Sequence, residues 1–160
     1  MKPCHHVVGA LIEAEGRFLL TQRRPEALLP LLWEFPGGKV EAGETDAVAL
    51  ERELRERMAV SCEVGALVLH VSHSYTAYDL DMRVYRVRLA PDACPRAIRV
   101  HQIRWVPEDD LPNYPFPGAD QQTVDALLMG DRGAGQGPFT SVSEEVVERD
   151  HTRTPSISWK

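Results

Sequence analysis

Hydrophobic positions along this chain fall into runs whose spacing changes from one segment to the next. Val7-Val8-Gly9-Ala10-Leu11-Ile12-Glu13 is a short apolar run with β-branched side chains, and it predicts a buried strand. Glu13-Ala14-Glu15-Gly16 supplies a turn, with Gly16 able to take a positive φ, and residues 17–22 return as a second strand to complete a hairpin. Arg23-Arg24-Pro25 closes it, because proline cannot donate to a strand ladder. Residues 25–32 read as an apolar loop leading through Trp33-Glu34-Phe35 into a glycine turn at Gly37-Gly38. Over residues 46–60 the spacing becomes helical: Ala47, Leu50, Leu54 and Met58 recur at intervals of three and four, behind Thr45 as N-cap and Asp46 in the first turn. Residues 62–74 and 80–89 read as strands, the second alternating apolar Leu80, Met82 and Val84 with Asp81 and Arg83, and Tyr78-Asp79 marks the bend between them. Residues 103–106 form a short strand stopped by Pro107, and 108–118 are proline-rich and irregular. Residues 120–129 predict a last helix, with Asp120 a good N-cap and Gly130 its stop.

Strands and helices alternate irregularly, which predicts an α+β domain with a mixed β-sheet sandwiched between helices. The glycine loop matches neither GxGxxG nor GxxxxGK[ST], so a doubly wound nucleotide fold is excluded. From Gly130 the chain turns to glycine and polar residues. The expected organisation is one domain over 1–130 and a polar C-terminal tail over 131–160, flexible or loosely docked.

At 160 residues, 43% hydrophobic and 26% charged, the chain can bury a sizeable core. Its net charge of −6 argues against nucleic acid polymer and anionic membrane as partners, and leaves room for a small anionic ligand held locally. Cys4, Cys62 and Cys94 are scattered and form no CxxC pair, as expected in a reducing compartment. Neither a membrane-length apolar run nor a signal-peptide core is present, so a cytoplasmic location is expected. His70 and His73, three apart on a strand, face opposite sides and make no zinc pair.

The chemistry concentrates where the glycine segment meets the acidic helix. Glu44, Glu53 and Glu56 surround Arg52, and acid following a glycine loop suggests a divalent cation between protein and phosphate.

This stretch resembles the box of the Nudix hydrolase superfamily, G-x5-E-x7-R-E-U-x-E-E-x-G-U with U aliphatic. Gly38 is followed after five residues by Glu44, then after seven by Arg52-Glu53-Leu54, then by Arg55-Glu56, with Val60 closing the box. Gln22-Arg23, Trp33 through Val40, Pro115-Phe116-Pro117 and Ala119-Asp120 agree as well, so the likeness covers about residues 5 to 130. It looks most like the small nucleoside triphosphate pyrophosphohydrolases of the mutator-T type. The resemblance implies the Nudix fold and hydrolysis of a nucleoside diphosphate-linked substrate, most of all a (d)NTP or oxidised (d)NTP, by water attack on phosphorus assisted by Mg²⁺ or Mn²⁺. Glu53 and Glu56 are the implied catalytic residues and metal ligands, and Glu44 with Arg52 the implied structural pair. Arg23, Gly37, Gly38, Lys39, Arg57 and Asp120 are the candidate substrate contacts. Tyr75, Tyr78 and Phe116 are available to stack on a base or to pack in the core. A nucleotide or nucleotide derivative is the implied partner, and the chain is left open as monomer or dimer.

Two departures bear on the chemistry. The second glutamate of the closing pair is Arg57, and the helix-ending glycine is Ala59. A further acid expected six residues before Trp105 falls on Arg99. Glu53, Glu56, Arg57 and Arg99 then sum to zero charge, so fewer metal ions are expected than an intact box would hold. One expectation is that Arg57 and Arg99 meet the phosphates directly with guanidinium forks. Another is that Glu41, Glu63, Asp79 or Asp81 completes an ordinary site. The alternative function is a catalytically lapsed Nudix domain that serves as a nucleotide sensor or a protein-interaction module.

Overall fold

The computed structural model describes residues 1–130. The strands are β1 (Cys4–Leu11), β2 (Glu13–Ala14), β3 (Arg17–Gln22), β4 (Trp33–Glu34), β5 (Gly37–Lys39), β6 (Cys62–Ser74), β7 (Asp79–Leu89) and β8 (Gln102–Pro107); the α-helices are α1 (Asp46–Met58) and α2 (Gly118–Leu128). One sheet runs β5-β1-β7-β6, with β1 parallel to β7 and antiparallel to β5. The second sheet is built on β3, which pairs with β2, β4 and β8. The tail expected over 131–160 lies outside the described residues.

The continuous apolar run of β1 reflects burial on both faces. Val8 and Ala10 join Leu50, Leu54 and Met58 of α1 in one core cluster, while Val7 and Leu11 join Phe35, Val84, Val124 and Leu127 in the other. The sheet therefore lies between α1 and the layer that includes α2. Leu50, Leu54 and Met58 are fully buried, each contributing about 1.5–3 kcal/mol of apolar transfer to docking the helix.

Several expectations change. The predicted hairpin between 7–13 and 17–22 is replaced by a two-residue one, β2 with β3, turned by Glu15 (φ 54°) and Gly16 (φ 79°). β1 itself belongs to the other sheet, because both its faces need cover and the opening hairpin could not supply it. Gly37-Gly38 is not a turn: both glycines are in β5, paired antiparallel with Gly9 and Val8. The irregular segment after β8 contains a 3-10 helix over Glu108–Asn113. The last helix begins at Gly118 with Pro117 as N-cap, so Asp120 sits inside its first turn and is not the cap. Helix α1 has its Thr45 cap, whose hydroxyl accepts from Val48 N at 3.2 Å, and it ends at Met58. Ala59 takes the left-handed conformation there (φ 60°, ψ 43°), which a Cβ makes unfavourable by about 1 kcal/mol. No described helix is long and apolar enough to cross a membrane.

Candidate active site

β5 is so closely approached by β1 and α1 that its first two positions have room only for glycine. A Cβ on Gly38 would lie 2.2 Å from the Glu53 carboxyl carbon, and one on Gly37 would lie 1.9 Å from the Val8 carbonyl oxygen. Both glycines, candidate substrate contacts by sequence, are required by this packing, and Gly38 makes the space that Glu53 fills. Lys39, at the end of β5, is exposed and gives its carbonyl to Arg52 at 3.0 Å.

Arg52 is the hub of the acidic cluster. Its Nε and Nη2 hold Glu44 in a two-pronged contact at 2.6 and 2.9 Å, and its Nη1 reaches Glu53 Oε2 at 3.1 Å and Glu56 Oε1 at 3.5 Å. Glu44 Oε1 also accepts from the Glu41 amide at 2.8 Å. The Arg52 hydrogen bonds, and then that amide, hold the Glu44 carboxyl down at about 2, and Arg52 is correspondingly shifted up. Loop 40–45 is thereby tied to both β5 and the helix.

The other end of the helix is basic. Arg57 Nε donates to Glu53 Oε1 at 2.6 Å, and the pair is almost fully withdrawn from solvent, Glu53 at 6% and Arg57 at 8% exposure. The Arg57 carbonyl accepts from the amides of Ile98 and Arg99 at 3.0 and 3.1 Å, which pins that loop to the end of α1. Arg99 is partly exposed, with Nη1 3.7 Å from Glu56 Oε1. Of the two arginines expected at the phosphates, Arg57 has its Nε on Glu53, and Arg99 is the more exposed.

The remaining candidates separate. Arg23 is 5% exposed, with Nε on the Leu28 carbonyl at 2.8 Å and Nη1 on Glu34 at 3.2 Å, so it organises loop 24–32 from inside. Asp120 is buried and accepts from the Phe35 amide at 3.2 Å, linking α2 to the segment before β5. Phe116 stacks on Phe35 (6.0 Å, 11°) and Tyr75 on Tyr78 (4.8 Å, 29°), all four buried in the core.

Of the acids proposed to complete a metal site, Glu63 pairs with Arg88, Asp79 with Lys2 and Ser74, and Asp81 with His6, His70 and Arg83. Glu41 alone of that group lies by the box, 4.0 Å from Arg52. Among the described residues no group of three or more His, Cys, Asp or Glu side chains is placed to share a metal ion. Glu53 and Glu56 do offer hard oxygen donors, and Mg²⁺ commonly takes one or two protein carboxylates with phosphate oxygens. These donors fit a divalent ion shared with a substrate.

Two contributors escaped the sequence reading. Glu34 is the buried partner of Arg23, signalled only by one opposite charge in an apolar flank. Asp46 receives Arg83 Nε and Nη2 at 2.6 and 2.9 Å and the Tyr85 hydroxyl at 2.6 Å, anchoring the start of α1 to β7. Burial and then Asp46 push the Tyr85 hydroxyl up to about 12.

Residues 7–126 match a family model described as a NUDIX domain. The chain belongs to the Nudix family. The CTP pyrophosphohydrolase of Escherichia coli is 32% identical over 125 residues, spanning 76% of this chain and 90% of that protein. A putative 8-oxo-dGTP diphosphatase 2 of Mycobacterium tuberculosis is 33% identical over 115 residues, spanning 64% of this chain and 80% of that protein. The solution structure of the E. coli ORF135 protein superposes on this Nudix chain with a TM-score of 0.70 at 29% identity, covering 85% of it and 96% of that chain. A MutT Nudix hydrolase structure from Staphylococcus aureus gives 0.63 at 35% identity, covering 81% and 99%.

Proposed function

We propose that this Nudix chain hydrolyses a nucleoside triphosphate, normal or oxidised, to the monophosphate and pyrophosphate. Family membership makes it a hydrolase of phosphorus-containing anhydrides, and the substrate class is supported by relatives named for CTP and 8-oxo-dGTP. The observation that carries the reading is the braced carboxylate: Glu53 is held in the Gly38 notch with Arg52 and Glu44 behind it.

In this reading Glu53 and Glu56 hold Mg²⁺ or Mn²⁺, which when bound supplies charge neutralisation at the phosphate oxygens. Glu53 Oε2 takes the proton of the attacking water, a role for which burial and fixed geometry suit it. Arg52 and Glu44 keep that carboxylate in place. Arg99, with its guanidinium partly exposed beside Glu56, is the direct phosphate contact. Lys39, exposed at the end of β5, adds positive charge, while Arg23 and Asp120 act through the loops they hold. The setting proposed is the cytoplasm, which the free thiols of Cys4, Cys62 and Cys94 support.

A panel of normal and oxidised (d)NTPs with Mg²⁺, read as pyrophosphate and nucleoside monophosphate released, tests the proposal. Turnover of at least one member, reduced by about 100-fold or more in Glu53→Gln, is expected. Binding of nucleotide without turnover of any member would instead establish the lapsed-sensor alternative, which the Arg57–Glu53 contact favours.

A further inference from the structure

The acids that face the reaction are already answered by fixed cations. Glu53 has Arg57 on one oxygen at 2.6 Å and Arg52 on the other at 3.1 Å, and Glu56 has Arg52 at 3.5 Å and Arg99 at 3.7 Å. Arg57 stands one helical turn beyond Glu53 on a rigid element, and the two backbone bonds to its carbonyl hold that turn still. Withdrawing this carboxylate from its guanidinium exposes an uncompensated buried charge, which is costly. A hydrated divalent ion dehydrates reluctantly and needs a negative, accessible donor set, and in the nucleotide-free site Glu53 is buried and both carboxylates are met by arginines. A nucleoside triphosphate brings several negative oxygens and chelates the ion itself.

We propose that the divalent ion enters only on the nucleotide, and that Arg57 is the positioning residue that imposes this order by occupying the inner oxygen of Glu53. The guanidinium serves as a permanent cation of the site, so the free protein holds no ion and the complex holds one. This rests on the nucleotide reading above.

Mn²⁺ binding isotherms read by electron paramagnetic resonance test it on the full chain, without nucleotide and with an α,β-methylene triphosphate analogue. In the wild type the free protein is expected to bind Mn²⁺ at least about tenfold more weakly than Arg57→Glu, with the near-isosteric Arg57→Gln moving the same way by less. The analogue is expected to load one Mn²⁺ per wild-type chain. Thermal melts give a second readout: Mn²⁺ alone raises the Tm of Arg57→Glu and leaves the wild type unchanged. If Arg57→Glu does not fold, Arg57→Gln carries the comparison. Nucleotide-free wild type binding Mn²⁺ as tightly as both variants overturns the proposal while leaving the nucleotide reading intact. An analogue that binds under no condition overturns the nucleotide reading and the order of addition with it.

Discussion

The two ends of helix α1 are built on opposite principles. At its N-terminal side the loop, strand β5 and the helix are fastened by a carboxylate–guanidinium brace, Glu44 to Arg52, around a notch with room only for glycine. At its C-terminal side a guanidinium answers the buried carboxylate, Arg57 to Glu53, and an alanine takes a backbone conformation that favours glycine. The first arrangement presents a carboxylate; the second covers it. Different residues on one helix thus hold the two oxygens of Glu53, Arg52 on Oε2 and Arg57 on Oε1, so positioning and the proposed metal affinity can be altered separately by mutation.

The sharpest way to break the comparison is at the residue both ends share. Glu53→Gln removes the charge facing two guanidinium groups, one buried and one partly buried, and is expected to cost about 3 kcal/mol in urea unfolding as well as most of the turnover. Gly38→Ala attacks the notch alone. Its Cβ would overlap the Glu53 carboxylate, so activity should fall about 100-fold, with about 2–3 kcal/mol of stability lost, while the Arg57 contact is displaced and not deleted.

Where the sequence was legible, one signal decided the outcome. The alternation from Leu80 to Val84 and the Thr45 cap with Leu50, Leu54 and Met58 behind it placed β7 and α1 to within a residue or two at their starts. Gly37-Gly38 was ambiguous because glycine marks both turns and close backbone approach, and only the position of Glu53 distinguishes the two. The run in β1 declared burial but not its neighbour, which is β7, some seventy residues later. Asp120 misled for a smaller reason: a helix starting two residues earlier turns a cap into a first-turn side chain that reaches Phe35 instead. The charges at 53 and 57 were plain in the sequence, whereas their shared burial was not, and burial is what converts a surface pair into a cover on the site.

Smaller tests refine the contrast. Asp120→Ala leaves the buried Phe35 amide without that acceptor and should cost about 1–3 kcal/mol, read by urea unfolding, with activity falling less than in Gly38→Ala. The N-terminal brace has a pH signature. Glu44 is held at about 2 in the folded protein against an ordinary 4.5, so the folded state binds fewer protons between those values. Its contribution is complete above about 4.5 and is lost as pH falls towards about 2, so wild type and Glu44→Gln should converge in stability over that window in acid unfolding. At the other end, Ala59→Gly should stabilise by about 0.5–1 kcal/mol in the same urea assay, since glycine takes φ 60° without a Cβ penalty.

The most direct test of the account is anomalous diffraction from crystals soaked in Mn²⁺, with and without the α,β-methylene analogue. Without nucleotide no manganese is expected at Glu53 and Glu56; with it, one ion is expected at these two carboxylates and the phosphate oxygens, while Arg57 stays on Glu53 Oε1. A manganese ion at those carboxylates in nucleotide-free crystals would contradict the account.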